Sequence, residues 1–386
     1  MNAKEINTVD YEIFYNKFFN SIDEAKEVVR YLSGSVITKE AGEVQVAFYD
    51  PDSHEASMIS CGILMHIMNI TRALNHMLEN RYGEDIGIYD GDQFFNNDAF
   101  IGGMHVPDTG IIAPYFYKGN FMGYIAAISH TTEVGAIEPG GMCPSATEAW
   151  HDGVIFPCVK LVEKSVMRRD VLSILLRGVR DPNGMELDVR ARIAGNEKAK
   201  QRLDELIDEF GVEFFRMATK RMLDDGEKSA RTKIKGLTPG TYSSLVYTDA
   251  IGVRGDKLAV IYQEMEVTEE GEFIFRYPAV SPQLPSFNNC YIPAIEAGIF
   301  YILLEKIFYD IRWNTGSDRL IQIEAPHGSR VNADSAQSVG YCTVGIGDTL
   351  VHSVIESLSL AQYVAGQEIE VDGATGSINF IASGGV

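Results

Sequence analysis

Apolar residues recur at three- and four-residue steps between positions 10 and 32, where Phe14, Phe18, Ile22, Ala25, Val29 and Leu32 fall in line. That spacing predicts a helix with one buried stripe. Val44 to Tyr49 alternates instead and predicts a strand, closed by the turn-forming Asp50-Pro51-Asp52-Ser53. Met58 to Leu78 returns to helical steps, and His66 and His76 inside it read as packing or surface residues rather than ligands. Two apolar runs, 109 to 117 and 121 to 130, flank Lys118-Gly119-Asn120 and predict a β-hairpin. From 165 to 235 charges become dense, while Val171, Ile174, Leu175 and Val179, then Leu203, Leu206, Ile207, Phe210, Phe214 and Met217, keep helical intervals. Asp181-Pro182-Asn183-Gly184 breaks that stretch in two. Beyond Thr238 the pattern turns to strands at Val246 to Thr248, Lys257 to Met265, Glu272 to Tyr277 and Ile321 to Glu324, around an apolar helix from Pro293 to Ile311. These elements predict a mixed, multi-domain α+β protein. Its expected units are an N-terminal α/β unit at 1–164, a helical insert at 165–235 and a C-terminal α/β unit at 236–386.

Candidate chemistry gathers around the hairpin. Asp98, Gly102-Gly103, His105 and Asp108 lead into it, with Pro107 stiffening the HVPD turn between two possible ligands. A three-residue loop at Lys118-Gly119-Asn120 opposes Asp108 to His130, with Cβ atoms about 5 Å apart, and leaves His105 and Glu133 just beyond. A two-residue Gly119-Asn120 turn would oppose Asp108 to Thr131 instead, because one slip changes every pair. Either register returns His130 to the neighbourhood of His105. Pro114, which has no N–H to give, predicts an edge position or a bulge. Two imidazoles and a carboxylate suit a divalent metal such as manganese, iron or zinc, which this donor set does not separate, and manganese is the expected ion. The candidate ligands are His105, Asp108 and His130, with Asp98 as a fourth or supporting group, and Glu133 is the candidate acid/base. The competing expectation is a tight loop whose histidines only satisfy hydrogen bonds.

Charge narrows the partners. The 386 residues carry 33 basic and 54 acidic side chains, a formal net charge of −21, which disfavours nucleic acid and anionic membranes. Met1 to Glu5 lead into no apolar signal core, so the expected location is cytoplasmic. The five cysteines, at 61, 143, 158, 290 and 342, form no CxxC pair, an arrangement that favours reduced thiols. Glu138-Pro139-Gly140-Gly141-Met142 is either an anion-binding turn or a structural one. Arg190, Arg192, His327 and Arg330 are candidates for anion contacts, with salt bridges and a surface turn as the alternatives. No GxxxxGK[ST] loop is present, and Val344 to Thr349 holds only GxG, so no nucleotide is assigned to this chain.

Four segments, NNDAFIGGMHVPD, ISHTTEVGAIEPGGM, ATEAWHDGVIFPCVKL and IEAPHGSRVNAD, resemble in that order the hydantoinase B/oxoprolinase family. Within it they resemble the ketone-carboxylase branch that includes acetone carboxylase alpha subunits. The resemblance runs from about residue 40 to the C-terminus and implies a hydantoinase B-like fold in which the hairpin carries the metal. It further implies an ATP-dependent carboxylation of acetone, or of a ketone such as acetophenone, with bicarbonate. A hydantoinase A-type partner would handle ATP, beside a small subunit. Hydantoinase- or 5-oxoprolinase-type opening of a cyclic amide is the alternative, and a non-catalytic scaffold subunit the third. Family chains usually continue past Ser383-Gly384-Gly385-Val386, which implies a split subunit or a fragment.

Overall fold

The computed structural model describes residues 6–251, 254–343 and 347–371. Its strands form two sheets. The first comprises β1 (Val44–Tyr49), β2 (Ala56–Ile59), β3 (Gln93–Asn96), β4 (Asp108–Tyr117), β5 (Asn120–His130), β6 (Val159–Glu163) and β7 (Val166–Met167), in the order β2-β1-β5-β4-β3-β6-β7. The second comprises β8 (Gly240–Ile251), β9 (Lys257–Val267), β10 (Phe273–Val280) and β11 (Ile321–Glu324), in the order β11-β10-β9-β8. The α-helices are α1 (Thr8–Leu32), α2 (His66–Glu79), α3 (Tyr82–Asp85), α4 (Ala99–Gly102), α5 (Arg169–Gly178), α6 (Pro182–Phe210), α7 (Val212–Ile234), α8 (Ile292–Lys306) and α9 (Gly347–Val364). None of the described helices is long and apolar enough to cross a membrane.

The central strands of the first sheet are buried on both faces, which explains their near-continuous apolar runs. Period-two geometry sends Val46, Phe48, Ile125 and Ala127 to one side, where they pack with Phe14 and Phe18 of α1 and with Leu203 and Phe215 of α6 and α7. Ala47, Tyr49, Ala126 and Ile128 face the other side and share a core with α2, α8, α9 and the second sheet. The helices expected at 165–235 thus share their core with α1 and the hairpin. Asp181 caps α6 by accepting from the Gly184 N–H, and Pro182 occupies the first turn, so the turn signal there marks a helix start.

Two local expectations need correction. The apolar stretch from Met58 begins in strand β2, paired to β1, and the helix starts only at His66, because pairing with β1 overrides the helical spacing. Cys290 and Cys342 are joined in a disulfide, with Cα atoms 5.3 Å apart, against the expectation of reduced thiols. They are 52 residues apart in the chain, and only the return of the 338–342 loop to the start of α8 brings them together.

The hairpin aligns Asp108 with His130. It reaches that register by a route different from the expected three-residue loop. Tyr117 pairs with Asn120 across a two-residue Lys118-Gly119 turn, both residues at positive φ (48° and 84°). One extra residue on β5 then shifts the ladder between Tyr115 and Phe116, so that Tyr115 opposes Gly123. The bulge restores the pairing that the shorter turn would have lost. Gly123 has φ 140°, and a Cβ there would lie 2.4 Å from the Tyr49 carbonyl oxygen. Pro114 lies within β4, past Ile112, the last β4 residue paired with β3, so its missing N–H removes no bond on that side.

Candidate metal centre

The GGMHVPD segment is shaped by close packing. A Cβ on Gly102 would lie 2.2 Å from the Asn69 carbonyl oxygen, so glycine lets α4 approach α2. His105 and Asp108 are then linked by a turn in which the Asp108 N–H donates to the His105 carbonyl, 3.1 Å. The Thr131 N–H donates to the Pro107 carbonyl, 2.8 Å, and ties the end of β5 to the same turn.

His105, Asp108 and His130 meet with one ligand-type atom each, all within 4.8 Å of one another, and all three are buried. His105 Nε2 lies 3.2 Å from His130 Nδ1 and 3.3 Å from Asp108 Oδ1, and His130 Nδ1 lies 3.5 Å from the same oxygen. Ligand bonds of about 2.1 Å in tetrahedral array set donor atoms roughly 3.4 Å apart, so the three separations match the edges of such a site. His105 Nδ1 is 3.2 Å from the Gly340 carbonyl. Its proton sits naturally on that nitrogen, leaving Nε2 as the free lone pair, the arrangement usual for a metal-binding imidazole. Asp108 Oδ2 is buried without a hydrogen-bond partner, which in a plain loop would cost about 1–3 kcal/mol. By geometry and donor chemistry the three residues fit a divalent ion.

Burial pushes the Asp108 carboxyl up, but His105 and His66 outweigh it and hold the group well below its ordinary value. Burial opposes a charged His105, yet the Asp108 carboxylate and the Gly340 carbonyl raise it.

The other predicted residues lie elsewhere. Asp98 is no member of the cluster; its side chain accepts from the Phe100 N–H, 3.0 Å, as the N-cap of α4. Cap geometry turns the carboxylate back on its own helix. Glu133 is likewise committed: it accepts from Gly135 N–H at 2.9 Å, from the Arg180 backbone N–H, and from Arg180 Nη1 at 2.8 Å. Strand β5 ends at His130, so Glu133 never continues the ladder toward His105.

Three neighbours escaped the sequence reading. His66, on the buried face of α2, places Nδ1 3.9 Å from Asp108 Oδ2, and neither ring nitrogen has a hydrogen-bond partner. Burial holds it below the ordinary histidine value. Glu43 Oε2 lies 3.9 Å from His130 Nδ1. Asp152 accepts from Ser338 Oγ and, at 2.7 Å, from the Val339 N–H, just before Gly340, and burial pushes its carboxyl up to about 6. His66 was hidden because a lone histidine at helical spacing looks the same whether its helix face meets apolar atoms or a carboxylate. Asp152 lay in a segment whose only signal was the family resemblance.

Comparison with known proteins decides the family. The model of the hydantoinase B/oxoprolinase family matches residues 7–385. The chain belongs to that family. It is 28% identical over 364 residues to the acetophenone carboxylase delta subunit of Aromatoleum aromaticum, covering 94% of this chain and 52% of that protein. It is 27% identical over 281 residues to the caprolactamase subunit beta of Pseudomonas jessenii, covering 72% of this chain and 48% of the relative. The fold of the nucleotide-free acetone carboxylase structure superposes with a TM-score of 0.90 at 23% identity, over 95% of this chain and 50% of that one. This family member therefore shares the mixed helix-and-sheet fold of acetone carboxylase while spanning about half the length of the relatives it matches. Two of these relatives are named as subunits, one of an acetophenone carboxylase and one of a caprolactamase.

Proposed function

We propose that this chain is the metal-binding catalytic subunit of an ATP-dependent ketone carboxylase, joining acetone or a ketone such as acetophenone to bicarbonate. The supporting observation is the buried His105-Asp108-His130 cluster at ligand-like spacing, in a chain similar over 94% of its length to an acetophenone carboxylase subunit. A divalent ion held by these residues, manganese in first place, would supply Lewis-acid stabilisation of a developing enolate oxygen and a common anchor for both reactants.

The chain's own side chains supply the rest. Gly340 fixes the His105 ring so that Nε2 faces Asp108 and His130. Asp108, at 1% exposure, keeps a carboxylate where bulk water is excluded, and water exclusion limits loss of a reactive carbon dioxide equivalent. ATP activation is assigned to a hydantoinase A-type partner beside a small subunit, in the cytoplasm.

The similarity to a caprolactamase subunit favours a second reading, hydrolysis of a cyclic amide, in which the same cluster would activate water. Labelled bicarbonate separates the two. The assembled complex supplied with ATP and ketone is expected to fix the label into a 3-oxo acid, and His105→Ala with His130→Ala to abolish both fixation and bound metal by elemental mass spectrometry. Ring opening of a lactam without label uptake supports the second reading. Turnover that survives loss of both histidines leaves a scaffold role.

A further inference from the structure

Arg330 is buried at 0% exposure, yet its Nη1 and Nη2 have no hydrogen-bond partner. Only Nε is engaged, donating to the Asn288 carbonyl at 3.0 Å. Among the described residues no carboxylate forms an ion pair with it, and burial alone pulls the guanidinium down to about 10. Arg192, the other fully buried arginine, also leaves Nε and Nη2 without partners, but its Nη1 donates to Ser129 Oγ at 2.6 Å and the Asp188 carboxylate opposes its charge, whereas Arg330 has neither a terminal hydrogen bond nor an opposing carboxylate. An uncompensated buried cation costs several kcal/mol, and buried donors are normally satisfied.

The surroundings hold the side chain in place. The Arg330 N–H donates to the Ser281 carbonyl at 3.1 Å, and the Arg330 carbonyl accepts from Cys290 N–H at 2.7 Å. Ser329, the preceding residue, is a second buried group whose hydroxyl lacks a partner. The Asn288-Asn289 segment that cradles Nε reaches the 338–340 loop through Asn289 Nδ2, which donates to the Ser338 carbonyl at 3.0 Å. That loop contacts Asp152 through Ser338 and His105 through Gly340. The bare guanidinium edge is thus tied, through the Asn288-Asn289 segment, to the loop that also bonds Asp152 and His105.

We propose that Arg330 is the base of a second, buried binding site that takes a planar carboxylate-type oxyanion across Nη1 and Nη2. Two parallel N–H donors match the two oxygens of bicarbonate or of an organic carboxylate. The site does not depend on the carboxylase reading, because the unpaired cation demands an anion whatever reaction the cluster performs.

The test is calorimetric titration of the full chain with sodium bicarbonate, with sodium acetate and with sodium chloride at matched ionic strength, repeated on Arg330→Met and Arg330→Lys. Bicarbonate or acetate is expected to bind the unaltered chain and raise its melting temperature. Arg330→Met should lose that binding at least tenfold while melting no lower than the parent when no oxyanion is present, since it removes an unpaired buried charge. Arg330→Lys, which keeps the charge and loses the fork, should weaken binding about tenfold and serves if the Met variant fails to fold. Bicarbonate preferred over acetate assigns the site to inorganic carbon, and the reverse to a carboxylate on a reactant. Absence of binding to the unaltered chain, equal binding of chloride, or undiminished binding by Arg330→Lys overturns the site.

Discussion

The two sheets handle polar groups in opposite ways. Strands β4 and β5 of the first sheet are buried almost throughout, and polar side chains at their ends, such as Asp108 and His130, have no water to satisfy them. Strand β9 of the second sheet alternates buried and half-exposed positions, and the sheet's outer face is laced by ion pairs across β9, β10 and β11, such as Arg276 with Glu266 at 2.6 Å and with Glu324 at 3.2 Å. In the open sheet an acid or base needs no special explanation. In the closed one an unpartnered carboxylate oxygen or imidazole nitrogen is a strong pointer to a ligand, because its desolvation must be offset by something.

If that contrast is sound, perturbing the closed sheet should cost far more than perturbing the open one. Gly123→Ala places a Cβ against the Tyr49 carbonyl at φ 140°, and strain with overpacking should lower unfolding free energy by about 4 kcal/mol in urea melts. It should also reduce bound metal, since the bulge sets the Asp108–His130 register; full metal retention would show that the register does not control the cluster.

Asp152 sharpens the comparison through pH. Burial raises its carboxyl from 3.8 to about 6, so the folded chain holds this proton more tightly than the unfolded one. Its stabilising contribution is complete below about pH 4, is lost as pH rises through 6, and is level above. Relative to Asp152→Asn, the parent should lose about 3 kcal/mol across that window; parallel stability curves would exclude a raised carboxyl there.

His66→Ala removes the imidazole beside Asp108 Oδ2 and should weaken metal affinity about tenfold, read by competition with a chelator, with little change in far-UV circular dichroism. The smallest effect belongs to the open sheet: Arg276→Ala should cost less than about 1 kcal/mol and leave metal content unchanged.

Helix α1, strand β1, the hairpin and the α6 boundary were legible because each depends on local periodicity or on turn and cap chemistry. The same locality brought His105 and Asp108 together, since they stand three positions apart across one turn with Pro107 between them. His130 was within reach because a hairpin pairs residues by counting from its turn, although the count succeeded only through a compensating bulge. Asp98 and Glu133 lie outside the three-residue group for a related reason: nearness in sequence says nothing about which way a carboxylate faces once a helix cap or a strand end intervenes.

Taken alone, the order of residues determined most of the elements, the charge of the surface and the candidate ligands around one hairpin, all consequences of interactions spanning a few residues. Only the tertiary structure decided that α2 would set His66 beside Asp108, that the distant 338–342 loop would orient His105 and pair Cys342 with Cys290, and that Arg330 would be buried with its charge unpaired. Those outcomes depend on which surfaces exclude water together, and burial is a property of the packed assembly rather than of any local stretch of chain.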